Sequence, residues 1–169
     1  MNNRSTTAKI CFTALFAALI CVATIIIRIP SPLGGYINFG DCFVILGAWV
    51  LGPVGGFAAG ALGSGLADLF SGYAAYVPGT FVIKGLMAFA AALLVKFVPS
   101  KLSRIIGAVL AEIIMIGGYY VFEAFIIGYG AEASAVNIPY NAVQGVLGII
   151  GAVLLYAAVS KIIKKEDIR

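Results

Sequence analysis

The stretch that decides the fold runs from residue 34 to residue 84 and reads GGYINFGDCFVILGAWVLGPVGGFAAGALGSGLADLFSGYAAYVPGTFVIK. It is mostly apolar, which predicts that it lies in a membrane. Glycine and proline interrupt it every few residues, although a simple spanning helix does not require them. Asn38, Asp41, Asp68 and Lys84 lie where hydrocarbon tolerates polar groups poorly, so we expect this stretch to contact a ligand.

The whole chain shares this apolar composition. Its 169 residues are 62% hydrophobic and 11% charged, with a mean hydropathy of +1.09, whereas a soluble domain is about 25% charged. At about 20 residues per spanning helix, the length accommodates six spans and leaves no second, soluble domain. We therefore predict an all-α membrane protein with six transmembrane helices, formed as one domain by residues 1–169.

Prolines, glycines and charged residues divide the chain into apolar segments. The second segment is only about 20 Å long at 1.5 Å per residue, which is less than a hydrocarbon core of about 30 Å. Asp41 at its start is suited to cap free helical N–H groups, and Gly52-Pro53 is expected to turn the chain. The predicted spans are 7–27, 40–52, 54–70, 78–97, 104–127 and 137–162.

Basic residues are concentrated on one side of these spans. If the N-terminus is inside, nine fall inside and Arg28 alone falls outside, with Lys84 within a span. The positive-inside rule then predicts that both termini are cytoplasmic. This placement argues against a nucleic-acid partner, despite the net charge of +4. The inside residues are Arg4, Lys9, Lys96, Lys101, Arg104, Lys161, Lys164, Lys165 and Arg169.

Few residues are suited to catalysis or metal binding. The chain has no histidine, and Cys11, Cys21 and Cys42 lack CxxC spacing, so we interpret the cysteines as small buried apolar residues. Ser64 lies between two glycines, but a nucleophilic serine needs a base. No Walker A motif is present. We expect no catalytic residue, metal site or cofactor.

Spans four and five carry charged residues inside the predicted membrane. Lys84 lies roughly 9 Å below the outer surface of span four. On span five, Glu112, Tyr119 and Glu123 share one face at 100° per residue. Because Glu123 is nearly level with Lys84, we expect it to be the better partner for this lysine than Glu112.

Span six carries a stripe of amides followed by glycines. This pattern is typical either of interhelical hydrogen bonds or of a pocket with an apolar wall and a few placed polar groups. Polar side chains in the outer halves of three successive spans favour the pocket, with the first outer loop closing over it. The predicted ligand-binding residues are Tyr36, Asn38, Asp41, Thr80, Lys84, Tyr119, Glu123, Asn137, Asn141 and Gln144.

Two stripes of small residues predict close helix contacts. Ala14 and Ala18 in span one either pack within the chain or form a docking face for another membrane subunit. The stripe between Gly56 and Ala67 in span three is expected to pack within the chain, because span two is short and the turn before span three is tight.

Several motifs resemble those of the substrate-binding S components of energy-coupling factor (ECF) vitamin transporters. They are YINFGD at 36–41, LGPVGG at 51–56, DLFSG at 68–72 and PGTFVIKG at 78–85. The chain is most similar to the riboflavin-type group, which also includes carriers of hydroxymethylpyrimidine and pyridoxine.

The resemblance implies a six-helix protein of a prokaryotic plasma membrane that binds a vitamin or precursor near the outer face. It implies a transmembrane T component and two cytoplasmic ATPases as partners, and toppling in the membrane to release the ligand. Ala14 and Ala18 match the AxxxA docking motif of that family, and ligand contacts are expected from the first outer loop and helices four to six.

Alternative functions remain open at this stage. Several amides suggest a neutral, polar heteroaromatic ligand, with hydroxymethylpyrimidine or pyridoxine favoured over riboflavin. A standalone secondary transporter that uses Lys84, Glu112 or Glu123 is one alternative. A membrane assembly protein without a small ligand is another.

Overall fold

The computed structural model describes residues 6–160, and helices dominate this part of the chain. The helices and strands are α1 Thr6–Ile26, β1 Arg28–Pro30, β2 Tyr36–Asn38, α2 Gly40–Phe70, α3 Val77–Phe97, α4 Lys101–Val121, α5 Ala131–Ser134 and α6 Ile138–Val159. A π-helical turn, Phe122–Ile127, extends α4, and a 3-10 turn, Ala135–Asn137, joins α5 to α6.

The second helix bends sharply at Gly52. The φ of this residue is 77° and its ψ is −175°, a conformation that favours glycine. Pro53 then begins the next helical segment, where its missing N–H is tolerated. A Cβ at Gly56 would lie 2.9 Å from the Ala48 Cα, whereas residues eight apart in a straight helix are separated by about 12 Å. The two arms of α2, residues 40–51 and 53–70, therefore fold back on each other.

This bend corrects the predicted helix count. The described residues contain five helices long and apolar enough to cross a membrane, so the prediction of six separate spans is wrong. The expected second and third spans are the two arms of α2, and the predicted turn at Gly52-Pro53 joins them. The first arm is about 18 Å long and does not by itself cross a core of about 30 Å.

The bundle has two ends, which we call the hairpin end (β1 and β2) and the bend end (Gly52). Lys9 of α1 and Ser160 after α6 line the same groove at the bend end, so both described ends of the chain lie on one side. That this side is cytoplasmic stays a prediction. The basic residues outside the described part of the chain are Arg4, Lys161, Lys164, Lys165 and Arg169.

Small residues allow the helices to approach closely at the centre of the bundle. A Cβ at Gly63 would lie 2.5 Å from the carbonyl oxygen of Ala17, and one at Gly60 would lie 2.8 Å from that of Lys84. The second arm thus packs directly on α1 and α3. The prediction that the stripe from Gly56 to Ala67 packs within the chain is confirmed.

The start of α4 is fixed by a capping box. The Ser100 Oγ accepts a hydrogen bond from the Ser103 N at 3.0 Å, and the Ser103 Oγ accepts one from the Ser100 N at 3.1 Å. These bonds satisfy backbone N–H groups that a helix start leaves free. The helix therefore begins at Lys101, slightly earlier than predicted.

A short antiparallel β-hairpin connects α1 to α2, where we expected a loop. Arg28 lies opposite Asn38 and Pro30 opposite Tyr36. The chain then enters α2 through Gly40, where a Cβ would lie 2.1 Å from the Thr24 Oγ1. A larger residue at position 40 would have to displace the Thr24 and Asn38 side chains, so α2 begins in close contact with the end of α1.

Candidate binding site

A small polar cavity lies beneath the hairpin. Its volume is about 30 Å³, which is room for two or three water molecules. An organic ligand therefore enters only if the hairpin moves. The lining residues are Thr24, Ser31, Gly35, Tyr36, Asn38, Ser64, Asp68, Tyr76, Thr80, Lys84, Tyr119, Asn141 and Gln144.

A buried ion pair forms one wall of this site. The Lys84 Nζ donates to the Asp41 Oδ1, and the two side chains are 2% and 1% exposed. The Gln144 Nε2 donates to the Asp41 Oδ2 at 2.6 Å, and the Asn38 N donates to the Gln144 Oε1 at 2.8 Å. The network therefore connects the hairpin, α6, α2 and α3.

This arrangement corrects two expectations for Asp41. It lies in the first turn of α2, but α2 has no side-chain cap; instead the Asn38 Oδ1 accepts a hydrogen bond from the Gly40 N at 2.9 Å. Asp41 is also not part of the lid, because it is fully buried behind Lys84. Its role in this structure is to neutralise the lysine.

A second group of contacts closes the other side of the cavity. The hydroxyl of Tyr36, on the hairpin, donates to the Asp68 Oδ1. The hydroxyls of Thr80 and Tyr119 are 3.0 Å apart, and the Lys84 Nζ lies 5.4 Å from the centre of the Tyr119 ring. This side combines an aromatic surface with a carboxylate.

Glu123 belongs to a separate cluster, so the prediction that it pairs with Lys84 is wrong. The Asn137 Nδ2 donates to both its carboxylate oxygens at 3.0 Å, and the Tyr76 hydroxyl donates to its Oε1 at 3.2 Å. Glu123 lies in the π-helical turn, which contains more residues than an α-helical turn. The α-helical arithmetic used for span five therefore fails there.

The loop of the hairpin rests on this second cluster. A Cβ at Gly35 would lie 3.5 Å from the Glu123 Oε1 and 3.9 Å from the Asn137 Nδ2. The Tyr76 hydroxyl also lies 3.4 Å from the Leu33 carbonyl oxygen. The cluster thus supports the lid from below.

Two tyrosines outside the spanning helices keep their protons. Burial, and then the neighbouring Asp68 carboxylate, raises the pKa of Tyr36. Burial, and then Glu123, raises the pKa of Tyr76. Both hydroxyls are therefore hydrogen-bond donors to carboxylates at neutral pH.

Glu112 lies deeper in the bundle and does not line the cavity. It is buried, and neither carboxylate oxygen has a hydrogen-bond partner among residues 6–160. A Cβ at Gly148 would lie 2.6 Å from the Glu112 Oε1 and 3.0 Å from the Asp41 Cβ. Glu112 thus packs against α6, close to the ion pair.

The structure brings most of the sequence-predicted site together. Seven predicted residues line the cavity: Tyr36, Asn38, Thr80, Lys84, Tyr119, Asn141 and Gln144. Asp41 lies behind them, and Glu123 and Asn137 form the neighbouring cluster.

The predicted ligand-binding residues did not include the other lining residues, although Asp68 was noted as a polar residue of the ligand-contacting stretch. These residues are Thr24, Ser31, Gly35, Ser64, Asp68 and Tyr76. A signal existed for one pair: Ser64 and Asp68 are four residues apart, so they share a helix face, and Asp68 is acidic within an apolar segment. Thr24 and Tyr76 gave no comparable signal, because a lone threonine or tyrosine near a helix end is common.

The two small residues of α1 lie away from the cavity. Ala14 and Ala18 are both exposed, so they do not serve packing within the described chain. Ala14 also lines an open, mostly apolar groove of about 1530 Å³ at the bend end, whose rim includes Lys9, Lys96 and Arg104. The docking role predicted for the two alanines stays a prediction.

Comparison with known proteins identifies similar chains. Residues 4–161 match the family described as "ECF-type riboflavin transporter, S component". An uncharacterised protein from a gap 3' region of Pyrococcus woesei is 37% identical over 132 residues, which cover 78% of this chain and 87% of that protein.

A solved structure has a similar fold. It is described as the S component of a bacterial ECF transporter, and it superposes with a TM-score of 0.77 at 23% identity, over 95% of this chain and 100% of that chain. At this identity the likeness concerns the fold alone.

Proposed function

Since the chain belongs to the ECF-type riboflavin transporter S component family, we propose that it captures a vitamin or vitamin precursor for an ATP-driven importer. The family is one of multi-pass membrane transport proteins, not of enzymes, and the five apolar helices fit that location. One observation carries the proposal: a buried polar cavity is closed by a hairpin within an apolar bundle.

The hairpin is the proposed gate for the ligand. It is held down by the contacts of Tyr36 with Asp68, of Asn38 with Gln144 and of Leu33 with Tyr76. The first two contacts are hydrogen bonds, each with a net value of about 1 kcal/mol or somewhat more when one partner is charged. The Leu33 carbonyl oxygen lies 3.4 Å from the Tyr76 hydroxyl, whose single proton it shares with Glu123. A ligand that offers equivalent bonds can replace them when the hairpin lifts.

We propose a compact heteroaromatic ligand. Tyr36, Tyr76 and Tyr119 supply aromatic surface around the cavity, and Asn141 and Gln144 supply amides. These amides support a polar heteroaromatic ligand such as hydroxymethylpyrimidine or pyridoxine, which we prefer over riboflavin.

The proposed partners are a transmembrane T component and two cytoplasmic ATPases. The chain itself contains no Walker A motif, so ATP use by that route requires other subunits. Exposed Ala14 and Ala18 support docking on α1, because small residues let another helix approach closely.

Two measurements test the function. Native mass spectrometry of the purified chain is expected to show a retained mass of vitamin size. Uptake in proteoliposomes is expected only when the T component, the ATPases and ATP are all present. Full-rate uptake by the chain alone, driven by a proton gradient, would contradict the proposal.

One observation keeps the secondary-transporter alternative in view. Lys84 and Glu123 are both hydrogen-bonded, whereas Glu112 has no partner among the described residues. An unpaired carboxyl inside a membrane is a candidate proton carrier. Proton-driven uptake by the lone chain that is lost in Glu112→Gln would establish this alternative.

A further inference from the structure

Asp68 is a buried acidic group of the cavity whose charge is not neutralised. It lies on the second arm of α2 and is 4% exposed. Lys84 is the basic residue of the cavity lining, and it is already paired with Asp41. Within residues 6–160 no cation forms an ion pair with Asp68.

The hydrogen bonding of this carboxylate is also incomplete. The Oδ1 accepts from the Tyr36 hydroxyl, whereas the Oδ2 is buried with no hydrogen-bond partner in the described part of the chain. The nearby Thr80 hydroxyl lies 3.0 Å from the Tyr119 hydroxyl, and its single proton serves either Tyr119 or Asp68, not both. A buried carboxylate oxygen that accepts no bond is unfavourable, so the site is short of a donor.

The donor that Asp68 does have belongs to the gate. Tyr36 lies on β2, so lifting the hairpin removes this bond and leaves both oxygens free for an incoming molecule. An ionised carboxylate only accepts hydrogen bonds. A ligand that replaces Tyr36 must therefore donate, and a positive charge on the ligand would compensate the charge of Asp68.

Two parallel N–H donors match a carboxylate best, because each oxygen then receives one bond. A ring nitrogen that carries a proton beside an exocyclic amine presents this edge. The flavin ring does not, because its pyrimidine edge has carbonyl oxygens on both sides of a single N–H group, and these face a carboxylate unfavourably.

We infer that Asp68 determines specificity, and that the ligand is a heteroaromatic compound with an amine or a protonated ring nitrogen that binds this carboxylate. The inference rests on the proposed function and narrows it to a substrate class. It narrows the polar heteroaromatic ligand that the sequence suggested to one that donates hydrogen bonds, because the sequence did not place the Asp68 carboxylate in the cavity.

A pair of probes of equal size tests the inference. They are 4-amino-5-hydroxymethyl-2-methylpyrimidine and its 4-oxo analogue, in which a carbonyl replaces the amine. Equilibrium binding to the purified full chain is expected to favour the amino compound at least about tenfold, as for a hydrogen bond to a charged group. Asp68→Asn is expected to bring the ratio of the two affinities close to one. An amide both donates and accepts hydrogen bonds, so it can bind the amino and the oxo compound about equally well.

A matched control comes from the same helix face. Ser64 also lines the cavity and lies one turn before Asp68, so Ser64→Ala is expected to leave the ratio of the two affinities unchanged. Asp68→Glu keeps the carboxylate and is expected to retain part of the preference. Thermal unfolding of each variant shows whether it is folded.

The outcomes separate this inference from the proposed function. Equal affinity of the wild-type chain for the two probes, or a ratio that Asp68→Asn leaves intact, overturns the inference. Retention of a vitamin with neither amine nor protonated nitrogen overturns it and leaves the proposed function standing. Failure to retain or take up any vitamin counts against both.

Discussion

The hairpin end of the bundle is joined by hydrogen bonds, and the centre and bend end are joined by direct contacts of small residues. At the hairpin end, Lys84, Asp41 and Gln144 connect three helices. Toward the bend, a Cβ at Gly56 would lie 2.9 Å from the Ala48 Cα, and a groove of about 1530 Å³ remains open beside the bend.

The difference follows from what each kind of contact permits. Hydrogen bonds are directional, so the hairpin-end network depends on the hairpin staying in place and changes when a ligand replaces it. Contacts of glycine and alanine need no hydrogen-bond donor or acceptor. They leave smooth surfaces on which another helix can pack. We therefore expect mutations at the two ends to affect different functions.

The largest effect is expected from Ala14→Trp or Ala18→Trp. A bulky side chain on this exposed face should prevent docking, so complex formation and uptake are abolished while ligand binding stays intact. Co-purification with the T component and a binding assay on the lone chain measure the two properties. Leu15→Trp, at a neighbouring exposed position, is the matched control. Lost binding with an intact complex would instead assign the stripe to the pocket.

The next largest effect is expected from Lys84→Met. It leaves Asp41 buried without its cation, and breaking a buried pair costs about 3–5 kcal/mol. Denaturation in detergent measures the loss of stability. Adding Asp41→Asn should recover a substantial part of it, because the uncompensated charge is then removed. A single variant as stable as the wild type would show that the ion pair has no structural role.

A smaller effect is expected from Gly63→Ala at the centre of the bundle. Its Cβ would lie 2.5 Å from the Ala17 carbonyl oxygen, and such overpacking costs about 1–3 kcal/mol. Gly117→Ala is the matched control, because no atom lies within 4 Å of its Cβ; it should be neutral or slightly stabilising. Equal stability of both variants would show that α1 and α2 can separate enough to accommodate a methyl group at position 63.

The smallest effects are expected from the amides of α6. Gln144→Ala should weaken ligand binding by about 1–3 kcal/mol, because Asp41 and Asn38 lose a shared partner. Asn141→Ala should weaken it by less, because Asn141 lines the cavity but is only half-buried. Calorimetry with the retained compound measures both. Unchanged affinity in the two variants would show that the amides of α6 serve helix packing and do not bind the ligand.

The sequence predicted the positions of the helices better than it predicted which residues contact each other between helices. Apolar length located every long helix, and Gly52-Pro53 marked the change of direction correctly. The turn is as tight as predicted, because one glycine with a positive φ reverses the direction of the chain. The positions of caps and bends depend on backbone geometry that composition does not record.

Contacts between charged residues were harder to predict. We expected Glu123 to be level with Lys84, but it lies beside Tyr76, eight residues before Lys84 in the chain, and in the π-helical turn it bonds to Asn137. Asp41 becomes the partner of Lys84 because the fold places the start of α2 beside α3. Spacing within one helix predicts which residues share a face, but not which helix that face meets.

The single residue between the arms of α2 also bears on how the chain enters the membrane. The first arm is about 18 Å long, too short to span a core of about 30 Å on its own, and no hydrophilic loop separates it from the second arm. The arms therefore have to insert together, as a preformed helical hairpin. Insertion of a charged tag at Gly52 is expected to block membrane integration, whereas the same tag between α3 and α4, at the Pro99–Ser100 turn, is expected to be tolerated.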